Sequence, residues 1–341
     1  MTRAKALKAL RGIVSLGIAL ALVGWVVVSS GIEPVKVLAT VDHRLFFAAF
    51  LCHGAGFVLA SWRWYLLLHH IRVHLPFLTV LRLALIGIFF NLLVPGGVGG
   101  DLIKMVYLRK ESGDRYPQAL LTVLLDRLLG LAGLLFIALV SVGLNLEMIA
   151  TGPVELQGLL MVVGIASVAG LLGGLGFLLW PWISKWGTRW GGGAYARLPE
   201  GVRAILLKVT DALDLLRASP MKLFGLLLLA AAGHLLAAIG MYLVARGASF
   251  GSFSLPFAPC LLATQLANLV AAVPLTPGGL GGRDLVMSLL LRAAGAPQQL
   301  AGAVPVLVTL LLVTWSLIGG LALLWERGSG ATAGLSDEAS N

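Results

Sequence analysis

Asp126 and Arg127 stand side by side in a stretch otherwise free of charge from Ala119 to Leu144. An ionisable residue inside an apolar helix costs about 2.5 to 3.5 kcal/mol even on a lenient insertion scale, so it is expected to face a polar cavity or a partner. Adjacent helix positions point about 100° apart. The two side chains are therefore expected to find different partners, Arg127 a phosphate and Asp126 either Lys104 or Arg82. The structural alternative is an ion pair near the interface, with Arg127 snorkelling to water.

The second group surrounds two glycine-rich turns, Pro95-Gly96-Gly97-Val98-Gly99-Gly100-Asp101 and Pro277-Gly278-Gly279-Leu280-Gly281-Gly282-Arg283-Asp284. Each precedes a predicted helix. Backbone N–H groups at Gly97, Gly99, Gly100, Gly279, Gly281 and Gly282, with the positive helix end behind them, are suited to an anion such as a lipid phosphate. Neither turn has the spacing of a nucleotide-binding loop. Asp101 and Asp284 read equally well as N-caps and as substrate or proton groups. Lys104 lies three residues after Asp101, positioned for a head group or for that carboxylate, and Arg283 sets a cation beside the second turn. Asn91, Asn268 and Gln265 are uncharged polar residues in apolar helices, a pattern typical of helix packing, with Asn91 and Asn268 kept as candidate substrate contacts. His53 and His234 read as cavity or packing residues. His70 and His74 have helical spacing but no acidic partner, so no metal or cofactor is implied.

These residues require membrane helices to position them. Of 341 residues, 59% are hydrophobic and 12% charged, about half the charged share of a soluble domain, roughly 25%. Cys52 and Cys260 both lie in apolar runs and supply neither a disulfide framework nor a metal spacing. The net charge of +10 reflects cations beside membrane segments and implies no nucleic-acid partner. Candidate segments are 11–31, 45–68, 76–110, 118–145, 154–182, 221–245, 255–295 and 297–325, each near or above the spanning length. Segments 76–110 and 255–295 are interrupted by the glycine turns, and irregular backbone is not tolerated against lipid. Both therefore read as re-entrant hairpins beside six full crossings. A cytoplasmic N-terminus (1–10) then leaves only Lys36, Arg44, Arg246, Arg283 and Arg292 outside, with Arg127 in the membrane. Single crossings at both turns would reverse that bias. Residues 183–220 form a cytoplasmic polar segment with an amphipathic helix expected over 202–216. The end, 326–341, reads as a disordered tail.

The two turns belong to a longer repeat. Leu75-Pro76-Phe77, Asn91-Leu92, the first turn, Leu108-Arg109 and Pro117-Gln118-Ala119-Leu120 recur in order. The second copy runs Leu255-Pro256-Phe257, Asn268-Leu269, the second turn, Leu291-Arg292 and Pro297-Gln298-Gln299-Leu300. The expected topology opens the first hairpin to the cytoplasm and the second to the far side. The halves 11–145 and 154–325 then form an inverted repeat, an arrangement that points to transport at the repeat interface. A duplicated structural membrane domain that binds lipid without moving it is the alternative.

At Asn91 to Asp101, Asp126-Arg127 and Pro274 to Asp284, the sequence resembles the transmembrane domain of the lysylphosphatidylglycerol synthase and flippase family, over about 10–325. The acidic residue after the second turn is often Glu in that family and is Asp284 here. The resemblance implies an all-α polytopic protein that translocates or handles lipid. This chain is expected to lack the soluble aminoacyl-transferase domain of the two-domain members. The expected function is a flippase moving a phospholipid, an aminoacylated phospholipid or a polyprenyl-phosphate-linked lipid by alternating access. Its groove would be lined by Asp101, Lys104, Asp126, Arg127, Arg283 and Asp284. The alternatives are a non-transporting partner of a glycosyl- or acyltransferase and a membrane-embedded lipid enzyme, although no nucleophile, base or metal cluster accompanies Asp126. The expected partners are a membrane lipid with an anionic or phosphate-bearing head group and either a second copy of the chain or a lipid-synthesis enzyme. The expected location is a bacterial-type inner membrane with both termini cytoplasmic.

Overall fold

The computed structural model describes residues 39–93, 98–112, 115–154, 156–174, 176, 219–248, 254–273 and 279–338. The expected crossing at 11–31, nearly all of the polar segment 183–220 and the centres of both glycine turns lie outside these residues. Among the described residues every regular element is a helix. In chain order they are α1 (His43–His70), α2 (Phe77–Leu93), α3 (Gly99–Glu111), α4 (Tyr116–Gly143), α5 (Leu146–Thr151), α6 (Leu156–Gly174), α7 (Pro220–Gly247), α8 (Phe257–Ala272), α9 (Gly282–Ala293) and α10 (Gln298–Glu338).

Five of these, α1, α4, α6, α7 and α10, are long and apolar enough to cross a membrane. Only helices and closed barrels satisfy their backbone groups within lipid. The chain is an integral membrane protein with several apolar helices. Exposed Leu159, Met161, Val162, Ile165 and Leu172 of α6 would be a liability in water and form an ordinary outer face in lipid. The helices flanking the glycine turns are shorter. α2 has 17 residues, α3 13, α8 16 and α9 12, each below the roughly 20 needed to span alone.

Local sequence sets the helix ends. Asp42 Oδ1 accepts the N–H groups of Arg44 at 2.8 Å and Leu45 at 3.2 Å, capping α1. Pro117 sits in the first turn of α4, where its missing N–H costs nothing. α10 carries Pro305 internally and continues to Glu338, through the stretch whose composition reads as a tail.

The helices gather into two compact units. The first takes α1 as far as Val58, then Leu78–Lys104 and the chain from Leu236 onward; the second takes Leu59–Phe77 and Met105–Leu235. In the first unit, Trp315 of α10 stacks on Phe50 with ring centroids 4.7 Å apart and donates its indole N–H to the Phe50 carbonyl at 3.1 Å. Gly54 makes this possible, since a methyl group there would come within 2.1 Å of the Trp315 ring. On the same helix, Gly319 brings α10 so close to α2 that a methyl group would lie 2.0 Å from the Leu85 carbonyl oxygen. Small residues that permit such backbone approach are what hold helices together where lipid offers no hydrophobic drive. In the second unit Gly133 of α4 meets Ala230 of α7, and Gly170 of α6 meets Leu135.

Candidate functional site

The second unit contains a polar seam along α4. Thr122, Asp126 and Gly130 recur at intervals of four and share one helix face. Arg63 of α1 donates from Nε to Asp126 Oδ1 at 2.8 Å and from Nη2 to the Asp126 carbonyl at 3.2 Å. The two side chains are 8% and 11% exposed. One turn away, Trp64 donates its indole N–H to Thr122 Oγ1 at 3.1 Å, and that hydroxyl donates to the Ala119 carbonyl at 2.6 Å. Beyond Asp126, Gly130 leaves space for the Arg63 guanidinium, 3.3 Å from where a methyl group would stand. Its carbonyl accepts His234 Nε2–H at 3.1 Å.

Arg63 is thus a partner of Asp126 that sequence reasoning missed. The expected partner was Lys104 or Arg82. Arg63 was counted with the cytoplasmic loop cations because it lies near the end of an apolar run, yet it is buried seven residues inside α1. The signal available was that depth, about two helical turns from the end. Arg127 is exposed beside buried Asp126, so the two neighbours diverge as helix geometry requires.

The first unit holds both copies of the glycine motif. At the first turn, α3 begins against α2. Asn91 Oδ1 accepts the Gly100 N–H at 2.7 Å, and a methyl group at Gly100 would lie 2.6 Å from the Gly87 carbonyl oxygen. Only glycine fits. Gly99 and Gly100 are buried, Asn91, Asp101 and Lys104 half-buried, and Gly97 lies outside the described residues.

At the second turn, α9 packs on both α8 and α10. Gly279 has φ +71°, and a methyl group there would meet the Ala271 side chain at 2.4 Å. Gly281, with φ +80°, is the N-cap of α9. The N-cap role considered for Asp284 therefore takes another form. Glycine occupies the cap because its backbone is left-handed there, and Asp284, the third helical residue, reaches back so that Oδ2 accepts the Gly281 N–H at 3.0 Å. Asp284 Oδ1 accepts Arg283 Nη2 at 3.1 Å and the Thr309 hydroxyl at 2.7 Å, while Arg283 Nη2 also donates to Thr309 Oγ1 at 2.6 Å. Arg283 is 4% and Asp284 1% exposed. Thr309 was not singled out in the sequence. His53 of α1 lies within electrostatic reach of Arg283. Its Nδ1 must donate to the Ala49 carbonyl, 2.9 Å away, because a carbonyl only accepts. Gly282 and Asn268 are half-buried.

The two motifs share a register. Asp101 and Asp284 both occupy the third helical position, and Arg283 stands where the first copy has Gly100. The anion cradle expected at these turns is altered by the same geometry. The Gly100 N–H is spent on Asn91 and the Gly281 N–H on Asp284. A carboxylate in each first turn also offsets the positive helix end.

Among the described residues no group of three His, Cys, Asp or Glu side chains could hold a metal ion. What the geometry provides is two desolvated Arg–Asp pairs, one in each unit, inside helices that match a membrane environment. Such intramembrane charges are costly to keep, and each is offset here by its partner.

Comparison with known proteins agrees with this architecture. The family described as the lysylphosphatidylglycerol synthase TM region matches residues 12–320. A protein of Pyrococcus horikoshii, UPF0104 membrane protein PH1989, is 26% identical over 340 residues, covering 92% of this chain and 96% of its own. With the match extending over almost all of its helices, the chain belongs to the lysylphosphatidylglycerol synthase transmembrane-region family.

Proposed function

We propose that this protein moves a phosphate-bearing lipid between the leaflets of the plasma membrane by alternating access. Family membership is consistent with a flippase-like role. The observation that carries the reading is the pair of broken helices, α2–α3 and α8–α9, each component too short to span alone and each interrupted by glycine. The pairs act as re-entrant hairpins of an inverted repeat, one opening to each side. A charged head group crosses on polar side chains while its acyl tails remain in lipid. The cation distribution supports an orientation with both termini in the cytoplasm.

The repeat also accounts for the differences between the copies. With Gly100 in the first and Arg283 in the second, one hairpin carries its own cation beside the acidic residue and the other does not. A head group would therefore meet two unlike sites in sequence.

The test is reconstitution of purified protein in liposomes with fluorescent phospholipids or a polyprenyl-phosphate lipid. Leaflet exchange is followed by chemical quenching of the outer label. Exchange well above that of protein-free vesicles is expected for at least one phosphate-bearing lipid, and none across the series would refute the transport reading.

A further inference from the structure

We infer that Arg82 of α2 is an oxyanion-binding residue, contacting the phosphate of the lipid head group. Its chemistry differs from that of the two Arg–Asp pairs. Arg63 and Arg283 are each satisfied by a carboxylate. The Arg82 Nε is buried and has no hydrogen-bond acceptor among the described residues. Arg82 is the sixth residue of an apolar 17-residue helix, about one and a half turns inside it. Arginine cannot escape the cost by losing its proton. The residue as a whole is only half-buried, which leaves part of it accessible to a ligand that could supply the acceptor its inner N–H lacks.

Its surroundings favour a ligand that arrives along a helix seam. Arg82, Leu85, Ile86 and Phe89 share one face of α2. On that face Leu85 and Phe89 contact Gly319 and Gly320 of α10. The cation therefore lies one turn before a close helix crossing whose contacts are otherwise glycine, leucine and phenylalanine. A planar fork with parallel donors suits a phosphate ester better than a single-point acceptor. An anionic head group can supply the missing acceptor while its tails rest on the apolar helix surface.

This inference rests on the lipid reading above, but binding can be measured whether or not lipid moves. Purified full-length protein and Arg82→Gln are compared by native mass spectrometry and by fluorescence titration in detergent. The probes are phosphatidylglycerol, diacylglycerol and inorganic phosphate. Retention of phosphatidylglycerol is expected to fall about ten-fold or more in Arg82→Gln, with diacylglycerol unchanged. Arg82→Lys, which keeps the charge and loses the fork, is expected to fall between them and provides the comparison if the glutamine variant does not fold. Displacement of phosphatidylglycerol by millimolar phosphate supports the site with the free ion as a ligand. Failure to displace supports it with the esterified head group as the ligand. Equal phosphatidylglycerol retention by wild type and folded variants would overturn the assignment. If wild type binds through Arg82 yet moves no lipid in liposomes, the transport reading fails and the binding site stands.

Discussion

Replacing Asp126 with Asn tests whether the Arg63–Asp126 contact is a truly desolvated ion pair. The substitution preserves shape and leaves Arg63, 8% exposed, facing a neutral amide. Stranding one member of a buried pair costs about 3 to 5 kcal/mol. Two hydrogen bonds survive in principle, from Nε to the amide oxygen and from Nη2 to the Asp126 carbonyl, 3.2 Å away in the native protein. The expected loss is therefore at the lower end, about 3 kcal/mol, or roughly 150-fold in the folding equilibrium. Arg63→Met should cost less, because the stranded carboxyl can take up a proton whereas a stranded guanidinium cannot release one. The double variant Arg63→Met/Asp126→Leu should recover to within about 1 kcal/mol of wild type, since both desolvation penalties disappear together. Unfolding in bicelles by detergent titration measures all four corners of the cycle, with Trp64, hydrogen-bonded to Thr122 one turn away, among the native reporters. A loss under about 1 kcal/mol in Asp126→Asn, or a double variant worse than the sum of the singles, would refute a desolvated pair and imply that water reaches Arg63.

Further outcomes follow from single positions. Gly100→Ala places a methyl group 2.6 Å from the Gly87 carbonyl oxygen; it should destabilise the protein by about 1 to 3 kcal/mol and, on the flippase reading, slow lipid exchange in the liposome assay. Gly164→Ala, with nothing within 4 Å of the added group, should be neutral or stabilising by up to about 1 kcal/mol in the same unfolding titration, because alanine is the better helix former. Thr309→Val removes the hydroxyl shared by Arg283 and Asp284. It should cost about 1 to 3 kcal/mol, whereas Thr309→Ser should retain most of the stability.

Much of the architecture was legible because a bilayer imposes simple rules. Runs of about 20 apolar residues must be helices, and α1, α4, α6, α7 and α10 each overlap a segment chosen on that ground. Glycine and proline mark the breaks, and α2 ends and α9 begins beside them. The divergence of Asp126 and Arg127 followed from helical pitch alone. The repeat extends to helical register, since Asp101 and Asp284 both occupy the third helical position and not the N-cap itself.

Partners were another matter. Asp126 needed one, but that it is Arg63, 63 residues earlier, depends on which helices become neighbours. An apolar stripe is compatible with many neighbours, because in lipid the choice is made by close packing at small residues. The same holds for Thr309 beside Asp284, and for Arg82, whose Nε lacks an acceptor among the described residues. Sequence alone determined that this chain is a membrane protein, where its helices break and that Asp126 and Arg127 are anomalous charges, since transfer into hydrocarbon acts on each segment independently. Tertiary structure decided which charges satisfy each other and which buried donor is left without an acceptor among the described residues, since a hydrogen bond depends on the placement of two helices to within an ångström.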